Sequence, residues 1–212
     1  MSGPAPLRAA IVACGVLGLL AAGTAWVVLQ GKDPAPSAEG ATAETPAALP
    51  DLGAVPEFSF TERTGTKVGL ADLRGRTWVA DFVFTSCAGT CPAMSLRMAE
   101  VHEVLRKEPD ALCVTFTTDP ERDTLQVLEG YAIKYGATPD RWLFVRGPQA
   151  EVLSLQHGGF KIGSATDPFL HSERFVLVDA RGRIRGYYHA LDPEGVPSLL
   201  RDFRRLRAEE GS

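Results

Sequence analysis

The sequence predicts a three-layer α/β domain preceded by one N-terminal transmembrane helix. Three observations predict it. Apolar runs of strand length alternate with stretches of helical periodicity from about residue 56 onward, the central strand runs are apolar at nearly every position, and an uncharged stretch of 21 residues lies close to the N-terminus. Strands that are apolar throughout are covered on both faces, which calls for helices above and below one sheet.

Taking the chain in order, residues 1–8 form a short tail. Ala9 to Leu29, "AAIVACGVLGLLAAGTAWVVL", holds no charge, and as a helix it would be about 32 Å long, enough to cross a bilayer core. Trp26 sits near one end, where interfacial aromatics concentrate. No small-residue cleavage site directly follows Leu29, so residues 9–30 read as a retained anchor rather than a removed signal peptide. Cys14 precedes most of the apolar segment and reads as a small apolar residue of that helix. Residues 31–55, rich in Pro, Ala, Gly and Thr, read as a linker. The folded domain is expected over 56–212.

Within it, "EFSFTE" and "TKVGL" read as a hairpin turning at Thr64 and Gly65. "TWVADFVF" is a buried central strand that ends in a cysteine-bearing loop. "PAMSLRMAEVHEVLRK" places Met94, Met98, Val101 and Leu105 at helical spacing. "ALCVTFTT" is a second buried strand. "RDTLQVLEGYAIKYG" is a helix with Leu125, Leu128 and Ala132 on one side, closed by Gly136. "RWLFV" is a strand, "PQAEVLSLQ" a helix, and "RFVLVDARGRIRGYYH" a hairpin turning at Gly182. "PEGVPSLLRDFRRLRAE" closes the chain as a helix.

Hydrophobic residues make up 45% and charged residues 23%, the balance of a folded domain, and the net charge of −4 gives no footing for nucleic acid. The arginines at 181, 183 and 185 and those from 201 to 207 read as solvated faces.

The chemistry lies in "FTSCAGTCPAM", where Cys87 and Cys91 stand four apart and Pro92 follows. Pro92 fits the first helical position, making Cys91 the expected N-cap and placing Cys87 in the loop before it. A helix N-terminus stabilises thiolates. The spacing suits a reversible disulfide or a soft metal ion; a structural disulfide pinning the loop is the plainer alternative. Zinc would want four ligands, whereas Cu(I) accepts two thiolates with an imidazole as a third. Of His102, His157, His171 and His189, His171 ranks first, because it ends a long irregular stretch beside the sheet. His102 follows Val101 and falls off the apolar stripe of its helix. Met94 and Met98 read as core packing, Cys113 as an inert buried thiol, and Asp119 as a turn or cap residue. A peroxidatic P-x-x-x-T-x-x-C pattern aligned on Cys87 would need threonine where Phe84 stands and proline where Ala80 stands.

"VADFVFTSCAGTCPAM", "TTDPERDTLQVLEGYAIKYG", "RWLFVRG" and "HSERFVLVDARGRIRGYY" together resemble the Sco (SenC) family of copper-handling proteins, in the family's order and over nearly all of 56–208. The resemblance implies a thioredoxin-like fold and a membrane anchor with the domain on the periplasmic or intermembrane-space side; a short N-terminus with no long Arg- and Ser-rich presequence favours the bacterial inner membrane, with the domain facing the periplasm. The resemblance also implies that Cys87, Cys91 and His171 are copper ligands, for Cu(I) with Cu(II) left open. The implied partner is the copper-centre subunit of cytochrome c oxidase, with other periplasmic copper carriers as further candidates. The implied role is delivery of copper to the dinuclear centre of that oxidase during its assembly; reduction of that centre's thiols by the Cys87–Cys91 pair is the alternative. "AGT" between the cysteines departs from the bulkier residues common in the family.

Overall fold

The computed structural model describes residues 48–163 and 173–210. The predicted span 9–30 lies outside them, and among the described residues no helix is long and apolar enough to cross a membrane.

In chain order the elements are β1 (Ser59–Glu62), β2 (Lys67–Gly69), α1 (Leu70–Leu73), β3 (Thr77–Val83), α2 (Cys91–Leu105), β4 (Ala111–Thr117) and α3 (Leu125–Lys134). Then follow β5 (Trp142–Arg146), α4 (Gln149–Ser154), β6 (Arg174–Val178), β7 (Ile184–His189) and α5 (Gly195–Glu210). The strands form one sheet in the order β2-β1-β5-β4-β3-β6-β7. β3 runs parallel to β4 and β4 to β5, while β6 lies antiparallel on the other side of β3.

Every residue of β3 and of β4 is buried, as their nearly continuous apolar runs predict. Alternation along the strands sends side chains to two separate cores. Val79, Val83 and Cys113 join Met94, Met98, Val101 and Leu105 of α2, Leu128 and Tyr131 of α3, and Leu199 and Phe203 of α5. Trp78, Ala80, Phe82 and Phe116 join Leu70 and Leu73 of α1, Val152 of α4, and Phe160. The three layers are therefore α2, α3 and α5, then the sheet, then α1 and α4. The helix ends follow local chemistry. The Thr124 hydroxyl caps α3 by accepting from Val127 N–H, and Gly136 beyond its last turn takes φ +72°, a region open to glycine. Gly182 takes φ +77° in the β6–β7 turn, where Asp179 Oδ1 accepts from the N–H groups of Arg181 and Arg183.

Two features depart from the sequence reading. Residues 48–55, assigned above to the linker, lie along β7: Leu52 N–H donates to Ile184 O, Ile184 N–H to Gly53 O, and Val55 N–H to Gly182 O. Arg185 is not on a solvated face. It is 8% exposed and bonds Asp179 Oδ2 (3.1 Å), Glu209 Oε2 (3.0 Å) and the carbonyl oxygens of Leu49 (2.6 Å) and Pro50 (3.0 Å). Its neighbour Arg183 pairs with Asp51 at 2.8 Å. Charge alternating with apolar residues predicts one buried face, here that of Ile184, and one exposed face; residues 48–52 cover the second face at Arg185 as well, and the pattern gives no sign of their docking.

Candidate metal and dithiol site

β3 lies between the parallel β4 and the antiparallel β6, and the cysteine loop leaves its carboxyl end. The chain leaving β3 forms a tight loop, in which Cys87 N–H donates to Phe84 O at 3.2 Å, and then enters α2 at Cys91. Thr90 occupies the cap position and Pro92 the second helical one, a shift of one residue from the expected Cys91 cap. Proline is tolerated there for the reason anticipated, since first-turn N–H groups have no partner within the helix.

Both cysteines are unbridged. Cys91 is fully buried against the sheet, while Cys87 at the rim is 8% exposed and is flanked by exposed Ser86, Ala88 and Gly89. Cys87 is close enough to act on the Cys91 thiol through its side chain. Gly89 N–H donates to Cys87 Sγ, 3.3 Å away.

The electrostatics differ from the expected low thiol pKa. Burial pushes the Cys91 thiol up to about 12; the Phe84 backbone opposes this, while the Cys87 side chain and the Asp81 carboxyl add to it. A helix N-terminus supplies only about half a positive charge, which does not offset full removal from water. Cys91 is therefore a thiol, not a thiolate, at neutral pH. A soft cation would have to expel the Cys91 proton, and oxidation to a disulfide would remove both ligands.

Beneath the pair lies a group that the sequence reading passed over. Asp81 is fully buried in β3, neither carboxylate oxygen has a hydrogen-bond partner among the described residues, and burial raises its pKa to about 7. Thr115, its register partner on β4, moderates the shift without reaching bonding geometry; its hydroxyl accepts from Trp142 Nε1 at 2.8 Å. A carboxylate inside "VADFVF" was the available signal. Cys113 is fully buried nearby, its thiol pushed well up by burial, as an inert core residue should be. Met94 and Met98 are fully buried core residues, as expected. Asp119 is a buried turn residue paired to exposed Arg122 at 3.3 Å.

The histidines separate clearly. His102 is 1% exposed, against the expectation that it leaves the apolar stripe. Its ring lies against Trp142, and Nε2 accepts from Thr138 N–H at 3.2 Å. It is eleven residues along α2 from Cys91, about 16 Å at helical rise, which removes it as a ligand. His157 Nδ1 bonds Ile162 O at 2.9 Å, and His189 is exposed at the end of β7. His171 lies outside the described residues. Among the described residues no group of three His, Cys, Asp or Glu could hold a metal ion.

The SCO1/SenC family model matches residues 48–205. The SCO1 protein homolog of Bacillus subtilis is 30% identical over 156 residues, covering 71% of this chain and 81% of that one. A protein of Stutzerimonas stutzeri described as a putative copper-binding protein is 27% identical over 161 residues, covering 72% and 78%. Among solved structures, that of BsSco, described with a disulfide switch and as a member of the Sco family of cytochrome c oxidase assembly proteins, superposes with a TM-score of 0.67. It is 28% identical and covers 74% of this chain and 96% of that one.

Proposed function

The chain belongs to the SCO1/SenC family, and from that premise we propose that it is a membrane-anchored copper carrier. In this reading it holds copper through Cys87, Cys91 and His171 and delivers it to the dinuclear copper centre of cytochrome c oxidase during assembly. The fold is the thioredoxin-like fold of that family. The observation that carries the proposal is the pair of neighbouring, unbridged cysteines in the loop and helix start after β3, one at the rim and one buried. Thiolates suit Cu(I), and an ion held partly at a rim can pass to a partner's thiols by stepwise ligand exchange.

Chain topology supports His171 as the third ligand. β6 pairs antiparallel with β3, Val176 opposite Ala80, so its first residue, Arg174, lies at the edge of the sheet from which the cysteine loop departs. His171 precedes Arg174 by three residues. The relative described as copper-binding and the structure described in terms of oxidase assembly agree with this reading. The uncharged stretch Ala9–Leu29 supplies the anchor, with the domain on the periplasmic side of a bacterial inner membrane.

A second reading uses the same sulfurs. The nearness of the two unbridged thiols favours a thiol–disulfide reductase, in which Cys87 and Cys91 give two electrons and two protons to a partner's disulfide and become a disulfide themselves. The two readings separate in anaerobic Cu(I) titration of the reduced protein against a chromogenic chelator, beside Cys87→Ser and His171→Ala. Binding of one Cu(I) per chain, abolished by the first substitution and sharply weakened by the second, supports the carrier. Weak binding indifferent to His171→Ala, with a readily reduced Cys87–Cys91 disulfide, leaves the reductase.

A further inference from the structure

The β3–β4 ladder makes one last rung beyond the named strands, Thr118 N–H to Val83 O at 2.9 Å. Past it the chain has to satisfy the start of the cysteine loop by other means, and a single side chain does so. Asp123 is fully buried in the turn between β4 and α3. Its carboxylate accepts from Thr85 N–H (3.1 Å to Oδ2), from the Thr85 hydroxyl (2.5 Å to Oδ1) and from the hydroxyl of Thr117, the last residue of β4. The turn is folded to present it, with Asp123 N–H donating to Asp119 O at 2.9 Å. Thr85 stands two residues before Cys87.

We propose that Asp123 is the positioning residue of the dithiol: it clamps the loop at Thr85 and so sets where Cys87 Sγ stands relative to Cys91. The two cysteines are held unequally. Cys91 begins a fifteen-residue helix and is fully buried, so its sulfur is placed by the core. Cys87 is carried by a loop whose flanking residues are exposed, and the Asp123–Thr85 bonds tie the start of that loop to the end of β4. Groups that orient ligands in this way govern affinity without touching the ligand's cargo. The copper part of this proposal rests on the carrier reading; the dithiol part does not.

The test uses the full-length protein in detergent, as Asp123→Asn, Thr85→Val, Thr85→Ser and, as a buried carboxylate remote from the loop, Asp179→Asn. Three quantities are read: the dithiol–disulfide equilibrium constant in glutathione buffers without copper, the Cu(I) affinity, and the thermal midpoint. The expected result is that Asp123→Asn and Thr85→Val shift the exchange constant by about fivefold or more and weaken Cu(I) by about 10–100-fold. Thr85→Ser, which keeps the hydroxyl and the N–H, should stay at wild-type values. Asp179→Asn should lower the thermal midpoint and leave the other two unchanged. The proposal is overturned if Thr85→Val and Asp123→Asn leave the exchange constant within about twofold of wild type, or if Asp179→Asn moves it equally. Should Asp123→Asn fail to fold, Thr85→Val alone decides. If the wild type itself binds Cu(I) weakly, the carrier reading fails while the exchange constant still judges the clamp.

Discussion

Replacing Asp81 with asparagine should make the protein more stable at pH 8 than at pH 5, relative to wild type, by several kcal/mol. Asp81 is fully buried and burial lifts its pKa from 3.8 to about 7. The folded state therefore keeps its proton between those values while the unfolded chain releases it. Stability from this group is fully present below pH 3.8 and is lost as pH rises, with the loss complete above about 7. Three pKa units at 1.36 kcal/mol each give a loss of about 4 kcal/mol. Asparagine has nearly the same shape and carries no charge at any pH, so its stability lacks this slope. For a domain of this size the full difference corresponds to about 8–16 °C in Tm. The assay is urea unfolding of both proteins at half-unit steps from pH 4.5 to 8.5, read as the difference between them, in which the other titrating groups cancel. A difference that rises at up to about 1.4 kcal/mol per pH unit and levels above pH 7 is expected. A difference flat to within about 0.5 kcal/mol across that range would refute the reasoning, because it would mean that Asp81 ionises in the fold as easily as in water.

Other perturbations give equally definite outcomes. Burial lowers the pKa of His102 below 6.5, so it withholds stability on the acid side: the contribution is intact above 6.5 and is lost as pH falls below it. His102→Gln should flatten the acid limb of the same urea series. Arg185→Ala should cost about 3–5 kcal/mol, since it leaves Asp179, 1% exposed, as a buried charge without its guanidinium; Arg185→Met with Asp179→Asn should recover much of that loss in chemical denaturation. Phe116→Ala should cost about 3–5 kcal/mol by opening a cavity among Phe58, Phe60, Phe82 and Phe160, with the dithiol exchange constant unchanged. A chain that begins at residue 56 should melt lower than one that begins at 48, because it lacks the bonds of Leu49, Pro50, Leu52 and Val55 to Arg185 and β7.

The strands and long helices were legible because burial on two faces writes itself as unbroken apolar runs, as in β3 and β4, and burial on one face as helical spacing, as with Met94, Met98, Val101 and Leu105. The cysteine pair was legible for a similar reason: a loop between a buried strand and a proline-started helix is a local signal. Polar residues inside the fold were harder to place. His102 occupies a helix position that reads as peripheral, and its burial depends on Trp142 and Thr138, which are distant in sequence. Arg185 depends on Leu49, Asp179 and Glu209 in the same way. The thiol of Cys91 shows the limit most clearly, since helix position alone argues for a lowered pKa and burial from a neighbouring layer reverses the sign. Asp81 carried a signal in its apolar surroundings, whereas Asp123, inside a charged turn, carried none.

The alternation of β3 has a consequence for how substitutions in this protein should be classified. Positions 78, 80 and 82 face the aromatic core with Phe116 and Phe160, and positions 79 and 83 face the chamber roofed by α2, as does 81 by the same alternation. Adjacent codons therefore load different cores. A lesion at an even position loosens the aromatic core, which does not include the cysteines, so the protein that still folds should keep a wild-type dithiol exchange constant. A lesion at an odd position loosens the core that also holds Cys87 and Cys91, so lost abundance should come with a shifted exchange constant. The parity of the residue number, over this one strand, separates variants of abundance alone from variants of abundance and cysteine chemistry together.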